Sequence, residues 1–208
     1  MAVELRSDFP LFPLGLVALP GELVPLHIFE ERYLTMIEEC LEHHGEFGIL
    51  WLAEEELKSV GCACEISRVV ERGKDGRMNI LALGKCPFRL IERQNELAYP
   101  AGRVELLIDE PEDVDSHVAK TAREVYCELV EQATENPVSS SDLQSMSAYN
   151  IAGTVDFGSD AKQELLELRS ENARLRLLTL LLRAAIKRLE LIDRAQSRAR
   201  SNGKVRFG

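Results

Sequence analysis

Most of the short motifs that announce an enzyme are missing from these 208 residues. No GxxxxGK[ST] loop occurs: Gly84-Lys85 is followed by Cys86, and no glycine stands five residues before Gly84, which excludes nucleotide hydrolysis of the P-loop kind. There is also no GxSxG elbow and no HExxH pair. Cysteine is sparse and odd in number. Cys40, Cys62, Cys64, Cys86 and Cys127 are scattered through apolar segments, as reduced core thiols are and a disulfide framework is not, so a cytoplasmic setting is expected. Long apolar runs are absent too: Leu14 to Leu19 and Leu177 to Leu182 fall far short of the ~20 residues a spanning helix needs. Glu4 and Asp8 outweigh Arg6 ahead of the first run, where a signal peptide would be basic. Charge is unevenly placed along the chain. Residues 169–208 hold eleven Lys or Arg against three acids, which leaves −18 on the first 168 residues of a chain whose net charge is −10. Such a body repels phosphate, so any contact with nucleic acid is confined to the C-terminal arm.

What is present is a chain that is 45% hydrophobic, enough to bury one core or two small lobes. Phe9 to Leu14 carries Pro10 and Pro13 and reads as an edge strand or polyproline-like lead-in. Leu14, Leu16 and Val17 to Leu19 read as a strand, Pro20-Gly21 as the middle of a type II turn, and Leu23 to Phe29 as a second strand with Pro25 at an edge or bulge. The period then changes. Tyr33, Leu34, Ile37, Cys40 and Leu41 share one helical face, with Glu30 and Glu31 at the positive end of the helix dipole.

Phe47 to Leu52 follows as a buried strand that carries Trp51, and Glu54 to Leu57 as an acidic loop. An alternating strand runs from Cys62, and Arg72 to Arg77 makes a hairpin turn around Asp75-Gly76. Met78 to Leu83 and Phe88 to Ile91 are strands on either side of a bend at Gly84 to Pro87, and Tyr99 to Asp109 completes the set. At Pro111 the period switches from two to 3.6. Val114 to Ala133 forms one helix stopped by Asn136-Pro137. Ser139 to Ser141 offers caps for a second helix through Tyr149 and Ile151, and Asp160 starts a third. Leu175, Leu178, Leu182, Ala185, Leu189 and Ile192 recur at threes and fours along a last helix from Ser170 to about Arg194.

Phe12-Pro13-Leu14, Pro20-Gly21, the PLHIFE string from Pro25 to Glu30, and Arg32-Tyr33 resemble the opening of the Lon substrate-binding domain family, found at the front of Lon proteases and as stand-alone proteins. Gly61, Asp75 to Arg77, Gly84, Phe88-Arg89, Tyr99, the VELLIDEP string from Val104, and the MSAYNIA and KQELLE strings follow the order of that family. Pro87 departs from it, standing where the family usually has an arginine. The resemblance implies an α+β fold: a PUA-like, partly open β-barrel lobe over 1–110, a helical bundle with one long last helix over 111–196, and a basic flexible tail over 197–208. It also implies a non-catalytic module that engages polypeptide segments or unfolded proteins, with a protease acting in trans as a further partner. No cofactor, metal or membrane partner is expected.

Among candidate site residues, His27 is poised near neutral pH but has no nucleophile or acid placed beside it by a motif, so a packed histidine at the strand-to-helix corner is the simpler reading. Glu30 and Arg32 read as a helix cap and a local ion pair. Cys62 and Cys64 would supply half a zinc site, with only His43 and His44 nearby, and core packing accounts for them better. Leu14, Leu26, His27, Phe29 and Tyr33 are the peptide-binding candidates on the signature corner, in a cleft expected where the two lobes meet. The alternative is RNA binding through the barrel lobe and Arg194, Arg198, Arg200, Lys204 and Arg206; an unrecognised hydrolase ranks third. The leucine seam over 175–192 offers a homodimer interface, although other amphipathic helices favour intramolecular core.

Overall fold

Pro10 and Pro13 cannot donate to a ladder, yet in the computed structural model β1 (Leu5–Leu14) lies inside the sheet. Its two halves explain this. Leu5 to Pro10 pairs antiparallel with β6 (Ala101–Leu106), Leu11 to Leu14 pairs parallel with β3 (Glu46–Ala53), and each half thus keeps one side free of ladder bonds. The structure describes residues 4–94, 96–134, 138 and 143–202, with side-chain surroundings described as far as Ala195.

The chain leaves the ladder after Leu14. The strand expected over Leu14 to Leu19 is instead irregular, and Val17, Ala18 and Leu19 are buried in it. Buried backbone needs partners, and here the Leu19 N–H donates to the Glu22 carboxylate at 3.0 Å. Gly21 has φ +80°, as a type II turn requires, and the Glu22 N–H closes that turn on the Leu19 carbonyl. The turn docks on Gly84. Gly21 N–H donates to the Gly84 carbonyl, and Gly84 N–H donates to the Glu22 carbonyl. A Cβ on Gly84 would lie 2.2 Å from the Leu19 carbonyl oxygen, so only glycine allows the approach.

After β2 (Leu23–Ile28) and α1 (Glu31–His43), β3 turns directly into β4 (Glu56–Arg72) through Glu54-Glu55, a two-residue hairpin where an acidic loop was expected. β5 (Met78–Gln94) runs on through Gly84 to Pro87 and absorbs the expected bend as register shifts opposite β4. The final strand is the shorter Ala101–Leu106 rather than Tyr99 to Asp109. The sheet order is β2-β5-β4-β3-β1-β6, and β5 also pairs with β6, so the sheet is partly closed and β2 extends the outer half of β5. The fold is mixed α+β. Phe9, Leu11, Leu50, Phe88 and Val104 fill the interior, with the Phe9 and Phe88 rings edge to face at 5.5 Å.

Two compact units result, Met1–Pro111 with Tyr149–Ser170, and Glu112–Ala148 with Glu171–Gly208. The stretch 149–170 thus belongs with the sheet, where a single helical lobe from 111 was expected. Its α4 (Ser159–Glu167) is held there by polar bonds: the buried Gln163 side chain donates to the Val60 carbonyl at 3.1 Å, and Lys162 pairs with Glu22. Gly158, not Asp160, is the N-cap of α4. In the second unit α2 (Ser116–Ala133) is capped by the Asp115 carboxylate, which accepts from the His117 and Val118 N–H groups. The Asn172 side chain accepts from Asp115 N–H and donates to Glu112 and the Asp113 carbonyl, tying the start of α2 to the start of α5 (Glu171–Asn202). α5 passes the expected end at Arg194 and reaches Asn202, about 48 Å of helix. Among the described residues the second expected helix forms only as the short α3 (Ala148–Ala152); its proposed serine caps and the Asn136-Pro137 stop lie outside the described residues, as does the tail beyond 202.

Candidate functional site

The corner where β2 hands over to α1 is where apolar side chains reach the surface. Along β2 the alternation puts Val24, Leu26 and Ile28 inward and Leu23, Pro25 and His27 outward. His27 is therefore exposed, not packed as expected. Its Nδ1 lies 2.7 Å from Asn79 Oδ1, and the Asn79 amide donates to the Glu71 carboxylate at 3.0 Å. A carboxylate only accepts, which fixes the Asn79 orientation and assigns the proton to His27 Nδ1. The ring stacks on Phe29, 5.7 Å between centroids, and Phe29 is 57% exposed.

Glu30 occupies the N-cap position of α1, but its side chain caps nothing; it pairs instead with Arg32 at 2.7 Å. Arg32 in turn lies over the buried Tyr33 ring, 4.6 Å from its centroid, and Tyr33 packs on Phe12 at 4.3 Å. Burial raises the Tyr33 phenol, against a smaller lowering effect of Arg32. These contacts lay the half-exposed Arg32 side chain along the corner.

Two clefts adjoin there. One, of ≈ 490 Å³, is edged by Leu14, His27, Phe29 and Tyr33, together with Phe12 and Ile28. The other, of ≈ 450 Å³, is walled by Leu11, Leu57, Leu97, Tyr99 and Arg93. Pro13, Arg32, Leu52 and Pro100 border both, so the two clefts adjoin as one mostly apolar groove that Glu30, Arg32 and Arg93 also line, and this lining belongs wholly to the sheet unit. The wall at 97–100 is held by the Tyr99 hydroxyl, which donates to Glu39 on α1 at 2.6 Å; burial first, and that bond second, raise the phenol well above its ordinary value. Leu52 is 40% exposed and Leu97 39%, so with Phe29 three large apolar side chains face solvent along the groove.

Of the five sequence candidates, Leu14, His27, Phe29 and Tyr33 come together. Leu26 does not: it is 7% exposed, on the inward face of β2. Leu52, Leu97 and Arg93 were not singled out from sequence. Leu52 ends the apolar run Phe47 to Leu52, in which every residue reads as buried, and Leu97 sits in a segment that reads as the lead into a strand. Among the described residues no three His, Cys, Asp or Glu side chains are grouped as a metal site needs. Cys62 and Cys64 are buried, and the Cys62 thiol is raised first by its hydrogen bond with Cys64 and then by burial, which keeps it protonated. No helix among the described residues is long and apolar enough to cross a membrane.

Comparison with known proteins adds a family. The model of the ATP-dependent protease La (LON) substrate-binding domain matches residues 8–184. The chain is 25% identical to a Lon protease of Anaeromyxobacter dehalogenans (strain 2CP-C) and 26% identical to Lon protease 2 of Myxococcus xanthus, in each case over 93% of this chain. It spans about a quarter of the length of these relatives, 25% and 26%. Among solved structures, the Lon N-terminal domain protein from Xanthomonas campestris superposes with a TM-score of 0.63 at 22% identity, covering 82% of this chain and 95% of that one. The N-terminal domain of the Mycobacterium avium complex Lon protease gives 0.61 at 18% identity, covering 84% and 97%.

Proposed function

Since the chain belongs to the Lon substrate-binding domain family, we propose that it is a non-catalytic module that binds polypeptide segments in the groove beside α1. The observation that carries this reading is the exposure of Phe29, Leu52 and Leu97 along one continuous apolar groove. Water-exposed apolar surface of this extent is costly to leave bare, and an extended chain with spaced apolar side chains covers it. Tyr33 and Tyr99 are buried and packed in the walls without a ligand, which lowers the ordering cost of binding. Leu14, His27, Phe29 and Tyr33 are the proposed contacts from the signature corner, joined by Leu52 and Leu97; Leu26 supports them from beneath. Presentation of the bound segment to a protease, on the same or another chain, fits the description of the family.

The test is fluorescence anisotropy with a labelled, permanently unfolded polypeptide. Leu52→Ser and Phe29→Ser should each weaken binding about tenfold or more, with the melting temperature little changed for Phe29→Ser, where the side chain is 57% exposed, and lowered by a few degrees for Leu52→Ser, where it is 40% exposed. Undiminished binding by both variants would overturn the assignment of the groove.

A further inference from the structure

The groove is chemically lopsided. Its ≈ 450 Å³ part, the walls from Leu11 to Leu97, carries two guanidinium groups, Arg32 and Arg93, and no carboxylate lines it, although the chain as a whole is at −10. Arg32 is already engaged by Glu30. Arg93 is not: among the described residues no ion pair reaches it, and its neighbour Glu92 is taken by Arg103 at 3.4 Å. Next to it, Gln94 accepts the Asp8 N–H through its side-chain oxygen at 2.9 Å, which pins the end of β5 that carries Arg93. On the far side of Leu52 the surface reverses sign, since Leu52 also edges a cleft bearing Glu54, Glu55, Glu56 and Asp160.

Resting on the polypeptide-binding reading, we propose that the groove selects segments in which an Asp or Glu side chain stands among apolar ones, the carboxylate meeting Arg93. Arg93 is itself exposed, so a charge pair formed there has the modest worth of a surface pair, added to the contact of the flanking apolar residues with the groove. The planar fork of arginine matches a carboxylate with two parallel hydrogen bonds. The acidic cleft beyond Leu52 repels a carboxylate displaced toward it, which favours the Arg93 side of the groove. The groove also continues past Pro13 and Pro100 toward Phe29, so an extended segment passes through it and the carboxylate is a side chain, not a chain terminus. The acidic surface slows encounter with such a segment, and the preference therefore resides in slower dissociation.

Four ten-residue peptides with identical apolar residues test this against the whole chain: Glu, Gln or Lys at the centre with both ends blocked, and the Gln peptide with a free C-terminal carboxylate. The Glu peptide should bind about fivefold more tightly than the blocked Gln peptide, and the Lys peptide more weakly than either. Arg93→Gln should make the affinities for the Glu and Gln peptides equal, with the melting temperature unchanged because Arg93 is exposed. A Gln peptide that binds as well as the Glu peptide overturns this inference alone, as does a Glu preference that survives Arg93→Gln, or a gain confined to the free C-terminus. If the blocked Gln peptide does not bind at all, the polypeptide-binding reading itself fails, and this inference with it.

Discussion

Gly84 is the residue on which the docking of the Pro20-Gly21 turn depends. Its absent side chain leaves room for the Leu19 carbonyl, and its own N–H and carbonyl both bond to the turn. Gly84→Ala should therefore cost about 2 kcal/mol, seen as a lower denaturant midpoint, because backbone has to move to admit the methyl group. Cys40 gives a pH signature. Burial, and after it the charge of Glu39, pushes its thiol up to about 11. The unfolded thiol ionises first, so the stability that the neutral buried thiol contributes is intact below pH about 9 and is lost as the pH rises to about 11, on the order of 2 kcal/mol. Tyr99, raised by burial and by its bond to Glu39, adds to the loss at still higher pH. Melting temperatures should fall between pH about 9 and 11, and Cys40→Ala should narrow that fall. Single residues were legible in sequence where their chemistry is local: Gly21 beside a proline announces its turn. His27 was misread as packed because its exposure depends on which face of β2 points inward, and the pairing with β5 decides that.

At the scale of elements, α5 shows why periodicity alone overstates a core. Leu175, Leu178 and Leu182 are buried as the seam requires and Ile186 continues them, whereas Ile192, counted in the same seam, is exposed and Leu180 is 63% exposed. Leu182→Asp should abolish cooperative unfolding of the helical unit, since it buries a carboxylate without a partner, while Leu180→Asp should change the melting temperature by no more than a degree or two. Differential scanning calorimetry of the two variants separates these outcomes. α4 is the opposite case. Its apolar face is short, and what places it on the sheet is Gln163 reaching the Val60 carbonyl and Lys162 reaching Glu22, each bond spanning more than a hundred residues of chain. Lys162→Met should cost about 2 kcal/mol by leaving the mostly buried Glu22 without its cation; a null effect in chemical denaturation would show that α4 is held by packing alone. No window of sequence around Lys162 contains that information, whereas the existence of α1, α2 and α5 was visible from their spacing.

For the whole molecule, the change from strand to helix period near Pro111 was legible because it is written in local alternation, whereas Leu14 to Leu19 was read as a strand, β5 as two strands, and the order of strands in the sheet was not legible. The groove was only half legible. Its β2–α1 edge lies in one contiguous signature stretch, but Leu52 arrives from β3, next to Phe29, and Leu97 from the lead into β6, in the adjoining cleft, and only the partly closed sheet brings these segments together. The groove and its charge asymmetry belong to the sheet unit, so the account assigns recognition to that unit. The most direct measurement is a backbone amide NMR titration of the full chain with a permanently unfolded polypeptide, after nuclease treatment. The account predicts shift changes clustered at Phe29, Arg32, Leu52, Arg93 and Leu97, with α2 and α5 little affected. Shift changes confined to α5, with the groove silent, would contradict it.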